Sequence, residues 1–256
     1  MPAHLQLVTD GPCARLVLAR PPLNIIDIPM AREILAALET LGPETRVLQI
    51  EAAADCRAFS AGVEIGDHLP ERIDGMLGSF HAIFRHLAAA SYLTLAVVRG
   101  MALGGGAELA CFCDAVFAAE DAEFGFPEIQ VGSFPPVATV ILPAMVGLRR
   151  AQDWILTGRR IGAAEAAATG LISRAVPAAE LEPAAAACRG QWLALSPRVL
   201  AVAHRALHGE RFGAALAEME GIYRRELPKL EDAREGVRAF LEKRSPVWAP
   251  PPARPA

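Results

Sequence analysis

MALGGGAELACFCDAVFAAEDAEFGFPEIQ, Met101 to Gln130, decides how this chain is read. A triple glycine, Gly104 to Gly106, stands directly before an apolar helical run that carries Glu108. A second carboxylate, Glu128, follows a short strand-like run and a proline. Glycine lets a backbone approach a ligand closely. A helix start offers unpaired N–H groups and a partial positive charge. Together they suit a site that holds a developing oxyanion, and two glutamates beside it can share acid and base duties. Each piece also has a plainer reading. The glycines can be a tight strand-to-helix turn. A carboxylate in a first helical turn is favoured by the dipole whatever its role. Glu128 can be a surface residue after a proline.

Outward from this stretch, the runs LQLVTD, ARLVLA, RVLQIEA, TLAVVRG and AVFAAE read as strands, several buried on both faces. Helical patterns lie between them, near residues 30–41 and 73–89. The alternation predicts an α/β fold. After Pro177 the strands stop, and alanine-rich amphipathic helices run to about Lys243, with breaks at Ser196-Pro197 and Leu227-Pro228. The tail APPPARPA is expected to fray.

Composition narrows the function. The 256 residues suffice for one sizeable core, alone or with a small appended region. No apolar run approaches the roughly 18 residues of a membrane span. The start, MPAHLQLVTD, lacks the basic and apolar regions of a secretory signal. A cytoplasmic protein without a membrane partner is expected. Net charge is −4 and the arginines are scattered, which argues against nucleic acid. The five cysteines lack zinc-finger spacing and are expected to be reduced thiols. His81 and His86 are five apart, which is not the two-histidine spacing of a helical zinc site, so no metal site is predicted. Motifs for zinc peptidases, serine hydrolases and P-loop enzymes are absent from the sequence.

Five blocks in order, RPPLNIID (Arg20–Asp27), AFSAGVEI (Ala58–Ile65), ALGGGAELACFCD (Ala102–Asp114), FGFPEIQVG (Phe124–Gly132) and LTGRRIGAAEAAATGLISRAVP (Leu156–Pro177), resemble the enoyl-CoA hydratase/isomerase family, the crotonase superfamily. The resemblance spans about Leu5 to Trp248. It implies a spiral of ββα units in residues 1–190, holding CoA and the active site, and a helical trimerisation region in residues 191–256. A homotrimer, or a hexamer built as a dimer of trimers, follows from it. So does an acyl-CoA thioester substrate, with no cofactor beyond the CoA of the substrate itself. Matched to the family pattern, the Ala61 and Gly105 amides form the oxyanion hole, each donor being worth roughly 3–4 kcal/mol. Glu108 and Glu128 grip the reacting water; by analogy Glu108 is the base and Glu128 the proton donor, a division the residues themselves leave open. Ser60, Gly62, Val63, Ile65 and Gly104 are expected along the CoA and acyl path. Phe80, His81 and Phe84 fall in the variable segment over the acyl pocket, where core packing is their plainer role. Arg20 and Lys243 are the candidates for the CoA phosphates.

One segment departs from the family. Where typical hydratases follow the second glutamate with paired glycines, this chain has Pro135, Pro136 and Val137. Prolines stiffen a turn and remove N–H donors. The implied pocket floor is rigid and bulky, shaped for something other than a linear chain. With PPLNIID and GDHLPERID, this resembles a narrower branch, the cyclohexa-1,5-diene-1-carbonyl-CoA hydratases, which form 6-hydroxycyclohex-1-ene-1-carbonyl-CoA in the benzoyl-CoA pathway of aromatic compound degradation. A linear-chain enoyl-CoA hydratase of β-oxidation and a non-catalytic crotonase-fold protein binding acyl-CoA or RNA are the alternatives.

Overall fold

All five apolar runs become strands of one sheet. The computed structural model describes residues 4–250, the side chains of residues 209 and 210 excepted; residues 251–256, most of the tail expected to fray, lie outside it. β1 (Leu5–Asp10) and β2 (Cys13–Leu18) form an antiparallel hairpin. β3 (Val47–Ala52), β5 (Leu93–Val98), β7 (Ala115–Ala119) and β10 (Arg174–Val176) continue in parallel, in the order β1-β2-β3-β5-β7-β10. A second sheet has the order β4 (Ala58–Ser60), β6 (Met101–Leu103), β8 (Glu123–Gly125), β9 (Arg160–Gly162).

The two sheets are threaded together. Each of β3, β5 and β7 passes into the short strand that follows it, and then into α2 (Ile73–Ala89), α3 (Gly105–Phe112) or α4 (Pro136–Val146). These are three ββα turns of a spiral. The period-2 alternation of strands divides β5 and β7 between two cores. Ala96, Val98, Val116 and Ala118 join the main core. Leu95, Val97, Ala115, Phe117 and Ala119 face α7 (Leu181–Leu193) through Leu181 and Ala185.

α1 (Ile28–Glu39) follows β2; the Asp27 side chain accepts from Met30 N at 2.9 Å and Pro29 stands in its first turn. After α4 come α5 (Leu148–Thr157) and α6 (Ala163–Thr169). The boundary placed at residue 190 falls inside α7. α8 (Pro197–Glu226), begun by the Ser196-Pro197 break, packs on α2 and α4. α9 (Glu231–Leu241) packs on the 3-10 segment Pro127–Val131 that carries Glu128. The C-terminal helices therefore close the region where the two glutamates sit. No helix among the described residues is long and apolar enough to cross a membrane.

Candidate active site

The loop after β4 is stapled by the PPLNIID segment. Asn24 Nδ2 donates to the Ala58 and Phe59 carbonyls, each at 3.1 Å. Ser60 Oγ donates to Asn24 O at 2.7 Å and accepts from Gly62 N at 3.1 Å. The Ala61 N–H, expected to face the oxyanion, donates instead to Leu23 O at 2.9 Å. Ile26 then pairs with the loop on either side of Val63, through Gly62 O at 2.9 Å and Glu64 N at 3.0 Å. In such a parallel bridge the central N–H points away from its partner. Val63 N–H has no hydrogen-bond partner among the described residues. The free amide of this loop is thus Val63, not Ala61. The sequence signal lay in the register of PPLNIID against the loop, which neither segment reveals alone.

The second expected donor, Gly105, also lines the cleft. Gly105 is the first residue of α3, so its N–H has no intrahelical partner. A Cβ on Gly105 would lie 2.7 Å from Val63 Cγ2 and 2.8 Å from Phe80 Cζ. The loop backbone itself lies against the helix start, since a Cβ on Gly62 would lie 2.9 Å from Leu103 O and 3.6 Å from Gly105 N. The two free amides are therefore neighbours at one end of a cleft of about 800 Å³.

Glu108, one turn into α3, is buried. Its Oε1 accepts from Ala138 N at 2.8 Å. Ala138 lies in the first turn of α4, where Pro135-Pro136 starts the helix. The proline pair thus begins the turn whose first free N–H groups, those of Val137 and Ala138, face the carboxylate. Burial pushes the Glu108 pKa up to about 7, opposed by that backbone hydrogen bond.

Glu128 is half-buried as a residue, but its Oε2 is sealed from solvent without a partner among the described residues. Burial, and then the neighbouring Glu108 charge, hold it well above the ordinary carboxylate range. Gly104 has φ +50°, and a Cβ there would lie 2.7 Å from Glu128 Oε1. The second glutamate thus rests against the backbone that begins α3. Tyr223, on α8, also faces this end; its hydroxyl shares a 2.7 Å hydrogen bond with Ser133 Oγ, and burial raises its pKa. Tyr223 had no sequence signal, since it lies in a helix 95 residues beyond Glu128 in number.

Ala61, Gly62, Val63, Ile65, Gly104, Gly105, Phe80, Glu108, Glu128, Pro135 and Pro136 all line the cleft. Ser60, Phe84 and Val137 do not. Ser60 is consumed in shaping the loop. Phe84 stacks edge-on against Phe80 and Phe112 in the core. Val137 is fully buried in the core, while its neighbours Pro135 and Pro136, also buried, line the cleft. His81 does reach the wall, with Nδ1 2.8 Å from Glu220 Oε1, and burial lowers its pKa. Of the two phosphate candidates, Lys243 lines the cleft mouth beside Arg244. Arg20 is instead paired with Asp27 at 2.8 Å and the Ile25 carbonyl.

The chain is similar to known proteins along nearly its whole length. The sequence profile described as enoyl-CoA hydratase/isomerase matches residues 10–251. A cyclohexa-1,5-dienecarbonyl-CoA hydratase of Thauera aromatica is 38% identical, covering 96% of both chains. A Rhizobium meliloti protein named "Probable enoyl-CoA hydratase" is 36% identical over 94% of this chain and 95% of its own. The crystal structure of an enoyl-CoA hydratase from Mycobacterium avium subsp. paratuberculosis superposes with a TM-score of 0.82 at 30% identity, over 97% of this chain and 99% of that one.

Proposed function

Because the chain belongs to the enoyl-CoA hydratase/isomerase family and is a hydro-lyase of the enoyl-CoA hydratase type, we propose that it hydrates cyclohexa-1,5-diene-1-carbonyl-CoA to 6-hydroxycyclohex-1-ene-1-carbonyl-CoA. The observation that carries the chemistry is the convergence of two partner-free amides and two carboxylates with raised pKa values, Glu108 and Glu128, on one cleft. The ring substrate is supported by the Pro135-Pro136 wall and by the named activity of the Thauera relative.

In this reading the Val63 and Gly105 amides hold the thioester oxygen. Glu108, whose pKa near 7 leaves it substantially ionised at neutral pH, takes a proton from water as the oxygen attacks the β carbon. The electrons pass through the ring onto the thioester oxygen, where the amides stabilise the dienolate. Glu128, whose pKa is raised by burial and by the neighbouring Glu108 charge, gives a proton to the far end of the diene. The result is a 1,4-addition. These steps call on no cofactor beyond the substrate's own CoA, and Lys243, which lines the cleft, is the candidate for its phosphates.

The test is turnover of the cyclic dienoyl-CoA and crotonyl-CoA side by side. Pocket shape discriminates by about 10–200-fold, and a kcat/KM preference of at least that order for the ring is expected. The alternative is a linear-chain enoyl-CoA hydratase, and relatives such as the Rhizobium protein are named only as probable enoyl-CoA hydratases. Equal or faster turnover of crotonyl-CoA would establish it instead.

A further inference from the structure

Three side chains that do not line the cleft converge on one point elsewhere. His204 and His208 lie four apart on α8, the helical two-histidine spacing that His81 and His86 lack. Asp114, between α3 and β7, faces both. His204 Nδ1 is 2.8 Å and His208 Nε2 is 3.1 Å from the same Asp114 oxygen, Oδ1. The three ligand atoms lie within 4.8 Å of one another.

Each of the two inner groups is aimed from behind. His204 Nε2 is 3.0 Å from the Leu87 carbonyl. Asp114 Oδ2 accepts from both the N–H and the hydroxyl of Thr94, each at 2.7 Å. Such outer contacts fix the tautomer of a ligating histidine and the orientation of a ligating carboxylate. They also create a demand. The Leu87 carbonyl and Asp114 Oδ1 are both acceptors, and a neutral imidazole has one N–H. With that proton on Nε2, the Nδ1 lone pair faces a carboxylate oxygen. A second proton on His204 would meet both acceptors. A cation would instead use His204 Nδ1, His208 Nε2 and Asp114 Oδ1 as three convergent ligands.

We propose that Asp114 Oδ1, His204 Nδ1 and His208 Nε2 bind a zinc ion, with water as fourth ligand on the side where His208 is partly exposed. Tetrahedral bonds of about 2.0–2.2 Å place ligand atoms roughly 3.3 Å apart, so the 2.8 and 3.1 Å spacings need only a slight opening. Asp114 belongs to the sheet core and the histidines to α8, so the ion ties the C-terminal helix to the spiral. It takes no part in the hydration and stands independently of the substrate reading.

The test uses the full chain stripped with a chelator and titrated with Zn²⁺ alone, followed by Co²⁺ as a spectroscopic stand-in. One ion per chain is expected. The cobalt spectrum should show tetrahedral visible bands without the sulfur charge-transfer band that ligation by any of the five free cysteines would add. His208→Gln, at a half-exposed position, should keep the fold and the hydratase activity while weakening zinc binding more than about tenfold. Thr94→Val keeps all three ligands but removes the hydroxyl behind Asp114, and should weaken binding by about tenfold. Absence of stoichiometric binding, unchanged affinity in His208→Gln, or a thiolate band in the cobalt protein would each overturn the site. A proton would then be what fills the gap at His204.

Discussion

At the residue scale, the two glutamates differ in what holds them. Glu108 has a backbone donor at 2.8 Å, whereas Glu128 Oε2 has none. Glu128→Gln keeps the size of the side chain and removes its proton. Turnover should fall by about 10²–10⁴-fold while CoA-thioester binding, followed by calorimetry, stays nearly intact. Glu108 makes a prediction about stability. Its folded pKa of about 7 lies above the ordinary carboxylate value of 4.5. Below pH 4.5 both the folded and unfolded states are protonated, and the group costs nothing. As pH rises through 7, the folded state must bury a charge that the unfolded chain ionises freely. Glu108→Gln should therefore be more stable than wild type above pH 7, by on the order of 1–3 kcal/mol. That advantage should shrink toward zero near pH 4.5. Urea melts at several pH values would measure it, and a pH-independent difference would contradict the burial argument.

At the element scale, the segment that carries Glu128 is held by α8. Ser133 N donates to Glu128 O at 3.0 Å, and Ser133 Oγ meets the Tyr223 hydroxyl at 2.7 Å. Tyr223→Phe leaves the buried Ser133 hydroxyl without that partner. A loss of about 1 kcal/mol in stability is expected, with a fall in kcat of about fivefold, the rate equivalent of that energy. An unchanged kcat would show that α8 does not position Glu128. Long elements were legible in the sequence. α2 occupies the expected residues 73–89, and α8 begins at the Ser196-Pro197 break. Period-2 and period-3.6 patterns need only a few turns or pleats to declare themselves. The ββα repeat was not legible without a resemblance, because β4, β6 and β8 are three residues each, too short to show alternation. The site was half legible for the same reason. Gly105 and both glutamates lie in one local motif, but the Val63 amide depends on pairing with residues nearly forty positions earlier, and Tyr223 on docking of a distant helix.

At the scale of the whole molecule, α8 presents two unlike faces. One packs on the core through Phe212, Leu216 and Tyr223. The other leaves Val199, Val202 and Leu207 exposed, at 67%, 57% and 83%. A stripe of that kind on a helix is a surface in want of a partner. Assembly into trimers, alone or paired as hexamers, is the expected outcome. Sedimentation at micromolar concentration should show no stable monomer, and Leu207→Glu should shift the distribution toward smaller species.

The spiral also sets an order of events. The Val63 and Gly105 amides belong to its first and second turns, Glu108 to the second and Glu128 to the third. A chain that has docked two turns already owns the anion pocket and one carboxylate, but not the acid–base pair. Contacts between successive turns close shorter loops than those that bring α8 and α9 over the site, and shorter loops close first. On dilution from urea, recovery of thioester-analogue binding should therefore run ahead of recovery of turnover. The lag between the two would time the arrival of the third turn. Simultaneous recovery would mean that the spiral winds as a single cooperative unit.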